Sequence, residues 1–134
     1  MTFLLRNRDF DHGLDLFNRA RYFDAHEALE DVWRPVPEEE PLRLHLQGMV
    51  QLAVAFHHQS TGNFVGALSV LERALRNLQG AERSFPSLDF DLLRADLTPW
   101  QVFLNDLNLY AEKSQAADTQ RPAAPPLPKI MARD

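Results

Sequence analysis

A histidine and a carboxylate, His26 and Glu30, stand four residues apart within a run that begins at Tyr22 and ends at Trp33. On an α-helix, residues four apart share one face, and Tyr22 and Trp33 fall on that same face. Glu27 falls on a different arc and is expected to face water. Ionisable groups placed among aromatic side chains must be paired or ligand-bound to offset their lost hydration. The spacing therefore predicts a functional site at His26 and Glu30.

A second set of polar residues follows one side of the third predicted helix, at Gln47, Gln51 and His58. On that side Gly48 and Ala55 lie two turns apart and would let a neighbouring helix approach closely. If that neighbour is the second helix, polar side chains of both helices meet in a cleft, where bundles commonly build their sites. The residues expected to line this cleft are His26, Glu30, Gln47, Gln51 and His58, with Tyr22 and Trp33 beside them.

Three interpretations of the predicted site remain open. In the first, His26 and Glu30 bind a divalent metal such as zinc or manganese, and His58 supplies a third ligand. The enzymatic form of this interpretation is a metal-dependent hydrolase in which Glu30 or a bound water acts as the base. Two positions on one helix are fewer ligands than catalytic zinc usually takes, and the HExxH pattern is absent from the sequence. No catalytic nucleophile is predicted.

In the second interpretation, His26 and Glu30 are purely structural, a pair tied to Gln47, Gln51 or Trp33 that fixes the register of two helices. In the third, a groove between helical hairpins binds a peptide or a small molecule without any chemistry. The apolar walls of that groove would be Tyr22, Phe23 and Trp33.

Composition limits the classes of protein to consider. The 134 residues, 45% of them hydrophobic, suffice for one ordinary core, so a single domain is expected over residues 1–112. Those residues carry ten Lys/Arg and 17 Asp/Glu, and this acidic balance argues against nucleic-acid binding. Cysteine is absent and no long apolar run occurs, which favours a cytoplasmic protein without a membrane partner. A homodimer is compatible with the sequence.

The chain is expected to be all-α, a bundle of antiparallel hairpins with about five to six helices and no strands. Caps and breakers mark the helix boundaries. Starts are predicted at Asp9 or Asp11, Asp24, Pro41, Asn63, Ser87 and Thr98, and ends near Ala20, Pro35, Thr61 and Gly80. His12 and His45 are expected to be solvated, and His57 is expected to pack at the edge of the core.

The last stretch, residues 113–134, is rich in proline and alanine and lacks an apolar period. Such a segment cannot recover the entropy of ordering by burial, so a flexible tail is expected. The alternative is an arm that packs in extended form along the body through Leu127 and Ile130, as proline-rich segments do.

An internal similarity links two of the predicted helices at an offset of 42 residues. Tyr22, Ala25, Leu29 and Glu30 recur as Phe64, Ala67, Leu71 and Glu72. An aromatic residue, a small residue and a leucine at this spacing are typical of tetratricopeptide and similar helical repeats, so repeat-like packing is predicted. The competing explanation is that any two amphipathic helices entered through an aromatic residue look alike.

Three motifs in order resemble those of the bacterial and archaeal domain-of-unknown-function family number 309. They are His26-Glu27-xx-Glu30-xx-Trp33, Gln47-Gly48-xx-Gln51-x-Ala53-x-Ala55-xx-His58 and Gly62-Asn63-xx-Gly66-Ala67. The resemblance covers roughly residues 10–80. It implies a small all-helical cytoplasmic protein without an established activity, in which the signature of His26, Glu30 and Trp33 is suspected of binding metal.

Overall fold

The structure, a computed structural model, describes residues 7–113 and 123–133. Its helices are α1 (Asn7–Asn18), α2 (Tyr22–Trp33), α3 (Pro41–Ser60), α4 (Phe64–Asn77) and α5 (Phe90–Lys113), with a short 3₁₀ helix at Ala81–Arg83. Over these described ranges there is no β-strand, and a lone antiparallel bridge joins Leu88 to Ala132. No helix in the same ranges is both long and apolar enough to cross a membrane. The prediction of an all-α fold with five to six helices is confirmed.

The boundary between α3 and α4 follows from local chemistry. Gly62 adopts a positive φ of 85°, a backbone conformation that costs glycine little and ends α3 after Ser60. The Asn63 side chain then accepts a hydrogen bond from the Gly66 amide at 3.0 Å and caps α4. The stop at Gly62 and the cap at Asn63 are therefore confirmed.

The predicted helix starts at Asp24, Ser87 and Thr98 are wrong, and α1 begins at Asn7 rather than at Asp9 or Asp11. Helix α5 begins at Phe90, directly after Asp89, whose carboxylate accepts a hydrogen bond from the Leu92 amide at 2.9 Å. Arg21, rather than Asp24, occupies the N-cap position of α2, and Asp24 lies in the first turn, where its carboxylate accepts a hydrogen bond from Arg21 at 2.7 Å. No new helix begins at Thr98, because Pro99 lies inside α5. An interior proline costs roughly 3 kcal/mol. Because α5 continues through Pro99, Leu97 and Trp100 near this proline are both buried. Each buried side chain stabilises the fold by about 1.5–3 kcal/mol.

The first four helices form an antiparallel series in which each packs on the next. The first turn of α2 meets the last turns of α3, since the rings of Tyr22 and Phe56 lie 5.5 Å apart, and α4 packs in turn on α3. Ala25 and Ala67, the small residues of the internal similarity, are both fully buried where helices approach. The helix contacts are consistent with the predicted repeat-like packing.

The neighbour of Gly48 is α4 rather than α2. A Cβ on Gly48 would lie 2.8 Å from the Leu78 side chain and 3.2 Å from the Ala74 carbonyl oxygen. The prediction of a close approach at Gly48 holds, but the expected partner helix is wrong. A glycine shows that a helix comes close and does not show which one.

Residues 123–133, called the C-terminal arm below, lie packed against the helices. Ile130 of the arm is buried, and the Trp100 indole nitrogen donates a hydrogen bond to the Pro126 carbonyl at 2.8 Å. The expectation of a flexible tail is therefore wrong for these residues, and the alternative of an extended arm holds through Ile130, while Leu127 stays exposed. The part of the predicted tail between residues 114 and 122 lies outside the described residues.

Candidate functional site

A ladder of three polar side chains, His26, Glu30 and Arg34, runs along α2 to its C-cap. His26 Nε2 lies 2.9 Å from Glu30 Oε2, and the Arg34 guanidinium donates to Glu30 Oε1 at 2.6 Å. The same guanidinium donates to Asp31 at 3.1 Å. His26 and Glu30 are half-buried, with exposed side-chain fractions of 27% and 28%. The predicted pair therefore exists, and both of its members remain accessible to solvent.

Trp33 is fixed by the start of α3. Its indole nitrogen donates a hydrogen bond to the Arg43 carbonyl at 3.1 Å. The Arg43 guanidinium lies over the indole ring, 4.1 Å from the ring centroid, and donates to the Val36 carbonyl at 2.6 Å. A cation over an aromatic face adds attraction to the hydrogen bond. These contacts connect the C-terminal end of α2 to the N-terminal end of α3.

The polar residues of α3 do not gather on α2 as predicted. Gln51 accepts a hydrogen bond from the Asn77 side chain at 2.7 Å, which commits it to α4. Gln47 is half-buried one turn earlier. His58 accepts a hydrogen bond at Nδ1 from the Asn63 side chain at 3.3 Å, near the α4 cap. The cause is the packing at Gly48, which turns this side of α3 toward α4 rather than α2.

The metal interpretation meets a shortage of ligands in the structure. Over residues 7–113 and 123–133, no group of three or more His, Cys, Asp or Glu side chains is arranged to hold a metal ion. Glu30 already has two intramolecular partners, and the Nδ1 atom of His58 faces Asn63. His26, Glu30 and His58 therefore do not form a preassembled three-ligand site.

Phe23 is an exposed aromatic residue between two imidazoles. Its ring centroid lies 5.9 Å from that of His26 and 5.4 Å from that of His57 on α3, and 52% of the residue is exposed. The His57 ring in turn lies 6.3 Å from His58. We call Phe23, His26 and His57 the Phe23 face. His57 is half-buried, in keeping with its predicted position at the edge of the core.

Tyr22 does not line an open cleft. It is buried against Phe17 and Phe56, and its hydroxyl has no hydrogen-bond partner among the described residues. Burial raises the pKa of Tyr22 to about 12. Phe23, the residue after Tyr22, is the aromatic residue exposed to solvent beside His26. The two rings differ in exposure because consecutive residues of a helix point in directions about 100° apart.

His45 is buried, so the prediction that it is solvated is wrong. Its Nε2 lies 3.2 Å from the Gln79 carbonyl oxygen, which can only accept, so Nε2 donates and Nδ1 accepts from the Ser84 hydroxyl at 2.5 Å. Burial lowers the pKa of His45, although the hydrogen bond to Gln79 and nearby Glu82 oppose this effect. His45 lines an open cleft of about 420 Å³ between α3 and the 3₁₀ segment.

The burial of His45 has a signal in the sequence that the prediction missed. His45, Met49, Leu52 and Phe56 recur at spacings of three and four residues, which places them on one stripe of α3. All four are buried. Phe23 lacks such a signal, since its ring is as apolar as those of its buried neighbours.

The site described by this geometry is a surface of paired polar side chains around an exposed aromatic ring, on a small bundle of antiparallel helices. Residues 10–70 match the family described as "Domain of unknown function (DUF309)", and the three predicted motifs lie within this range. The resemblance predicted from the sequence is therefore confirmed over residues 10–70.

Two relatives are similar to the chain over 81 residues each, or 60% of its length. One is the "Uncharacterized protein YpuF" of Bacillus subtilis (strain 168), which is 36% identical. The other is an "Uncharacterized protein" of Aquifex aeolicus (strain VF5), which is 28% identical. The matched region covers 46% of the first relative and 24% of the second, so both contain much sequence beyond it.

Proposed function

We propose that this protein is a binding module whose Phe23 face receives a basic segment of a partner protein. The observation that carries the proposal is the exposure of Phe23, an aromatic ring 52% exposed between the imidazoles of His26 and His57. Aromatic side chains are frequent energetic anchors of protein interfaces. A ring held by flanking rings loses little conformational freedom when a partner covers it.

Charge supports the choice of a basic partner. Helix α2 carries four carboxylates and no lysine or arginine between Tyr22 and Trp33. Glu27 and Asp31 are exposed on α2, next to the Phe23 face in sequence. A partner that brings lysine or arginine would gain long-range attraction from these carboxylates, and an arginine would also stack on the Phe23 ring. Acidic partners would be repelled.

The ladder of His26, Glu30 and Arg34 fits a positioning role in this proposal. Both oxygens of Glu30 are engaged, which orients the His26 ring beside Phe23. A side chain held in this way presents a fixed surface to a ligand. No catalytic residue is assigned.

Metal binding through His26, Glu30 and His58 is the second candidate function. It is favoured by the separation of His26 Nε2 and Glu30 Oε2, which at 2.9 Å brings together two half-exposed ligand atoms. A metal would still have to take its remaining ligands from water or from a substrate. Elemental analysis of protein purified without an affinity tag tests it, with His26→Ala as the comparison. Near-stoichiometric zinc or manganese that is lost in the variant would establish metal binding.

Photo-crosslinking followed by affinity measurement tests the proposed binding function. p-Benzoylphenylalanine is placed at Phe23 and, as the matched control, at Val102 on α5, which is 58% exposed. We expect the native cell to yield an adduct at position 23 alone, on a segment rich in lysine or arginine. A synthetic peptide of that segment should bind the wild-type chain in calorimetry, and more weakly as salt rises.

Variants then separate the contributions of the anchor and of charge. Phe23→Ala should lower the affinity for the peptide at least tenfold, which corresponds to about 1.4 kcal/mol of binding free energy. Glu27→Lys should also weaken it, whereas Asp106→Lys, an equal charge change at an exposed position of α5, should not. Unchanged affinity in Phe23→Ala, or an acidic crosslinked segment, would exclude the proposed function.

A further inference from the structure

The C-terminal arm lies in its groove in the alternating manner of a bound strand. Pro128 and Ile130 are buried, whereas Leu127, Lys129 and Met131 are exposed. Alternation with a period of two is the pattern of an extended chain that buries one side only. The groove therefore buries the side chains of Pro128 and Ile130 and leaves the residues adjacent to each of them exposed.

The side chain of Asn18, at the end of α1, forms hydrogen bonds with both backbone groups of Ile130 in the arm. Its Nδ2 donates to the Ile130 carbonyl at 2.9 Å, and its Oδ1 accepts from the Ile130 amide at 2.8 Å. A side-chain amide that satisfies both backbone groups of one residue imitates a neighbouring β-strand. Trp100 adds a donor to the Pro126 carbonyl at 2.8 Å.

The segment between the 3₁₀ helix and α5 forms the other wall of the groove. The Asp89 amide donates to the Met131 carbonyl at 2.9 Å, and the Arg133 amide donates to the Ser87 carbonyl at 2.7 Å. Apart from the Lys129 ammonium, which donates to the Asn18 carbonyl at 3.0 Å, the hydrogen bonds from Asn18, Trp100 and this segment go to the backbone of the arm. They are available to any extended chain that places proline and an aliphatic residue two positions apart.

We propose that this groove is a binding site for an extended, proline-containing segment of a partner protein, and that the arm is its intramolecular competitor. Addition of an extended segment through backbone hydrogen bonds and alternate side-chain pockets is an established mode of peptide recognition. The observed contacts require the arm to be extended and do not depend on its covalent attachment. This site is separate from the Phe23 face and does not rest on the function proposed for it.

Tethering determines which segment occupies the groove. Nine residues, Ser114–Pro122, connect α5 to the arm. A short connection gives an attached ligand an effective concentration on the order of millimolar. The arm of a second copy has the same affinity without this advantage and would lose the competition at micromolar concentrations. A partner segment with more favourable side chains in the two pockets can displace the arm, and for this reason we assign the groove to a different protein.

Release of the arm in the full-length chain tests the groove. Ile130→Asp places a charge in the apolar pocket and should free the arm, whereas Leu127→Asp makes the same charge change at an exposed position of the arm. The probe is a fluorescein-labelled peptide with the sequence of residues 123–134. By fluorescence anisotropy we expect the Ile130→Asp chain to bind this peptide at least tenfold more tightly than do the wild-type and Leu127→Asp chains.

A receptor-side variant and a second measurement complete the test. Asn18→Ala, added to Ile130→Asp, should abolish the gain in affinity. A folded Ile130→Asp chain that binds the peptide no better than wild type would refute the proposed site. If Ile130→Asp does not fold, the unlabelled peptide is titrated into ¹⁵N-labelled wild type, where displacement should shift the amide signals of the arm at millimolar peptide. Unchanged arm signals, or a wild-type chain that dimerises through exchanged arms at micromolar concentration, would overturn the assignment.

Discussion

Replacing His26 with alanine separates a functional role of the His26–Glu30 pair from a purely structural one. The pair is an i, i+4 contact of half-exposed groups, and such contacts contribute roughly 0.3–0.5 kcal/mol. Glu30 keeps its hydrogen bond to Arg34, at 2.6 Å, so no buried charge is left without a partner. Alanine also favours the helix by about 0.5 kcal/mol relative to histidine. We therefore expect the free energy of unfolding to change by less than about 1 kcal/mol.

Urea denaturation followed by far-UV circular dichroism measures this change. Leu29→Ala is the matched control, because Leu29 lies on the same helix, is fully buried and should lose about 2–5 kcal/mol when truncated. The melting temperature should fall by no more than about 5 °C in His26→Ala. A double-mutant cycle with Glu30→Ala should give a coupling energy of about 0.5 kcal/mol or less.

A loss approaching that of Leu29→Ala would refute this reasoning. The pair would then carry structural weight despite its exposure, and the ladder on α2 would be explained by stability alone. A small loss would leave the pair free to serve binding, as the Phe23 face requires.

Three further predictions concern buried positions. Gly48→Val should destabilise the fold to urea by about 1–3 kcal/mol, because a Cβ there lies 2.8 Å from Leu78. Tyr22→Phe removes a buried hydroxyl without a partner among the described residues, so the free energy of unfolding at pH 7 should stay unchanged or rise by up to about 1 kcal/mol. Since the folded pKa of Tyr22 is raised to about 12, stability should decline above about pH 10 in the wild type, and less so in this variant. Because the folded pKa of His45 is lowered, its contribution to the free energy of unfolding is complete above about pH 6.5 and is lost as the pH falls through the folded pKa. Urea titrations from pH 7.5 to 5 should show this decline in stability in the wild type, and His45→Gln should flatten it.

Each of these expectations has a contrary outcome. Wild-type stability in Gly48→Val would mean that α3 and α4 can separate without cost. A loss above 1 kcal/mol in Tyr22→Phe would indicate a hydrogen bond to a partner such as ordered water. An acid decline as steep in His45→Gln as in the wild type would assign that decline to other groups.

Secondary structure could be predicted from the sequence because its signals are local. The stop at Gly62, the cap at Asn63 and the proline at the start of α3 act within one helical turn, and each is found where expected. The start predicted at Thr98 failed for a long-range reason. Burial of Trp100 against residues distant in sequence outweighs the local preference of Pro99.

The candidate site could be predicted only in part. His26 and Glu30 pair because their spacing on one helix fixes their distance, whatever the rest of the chain does. Gln51 was expected beside them and instead bonds to Asn77 on α4. The helical pattern shows that a side of α3 is covered, but two helices can cover it equally well.

The sequence by itself determined the all-helical class, the stop and cap between α3 and α4 and the pairing of side chains within a single helix, since these depend on contacts only a few residues apart. The tertiary structure decided which helix meets the Gly48 side of α3, that Phe23 is exposed while Tyr22 is buried, and that the arm docks through Ile130. Those outcomes depend on the summed packing of segments far apart in the chain, such as Asn18 with Ile130, and no local pattern encodes that sum.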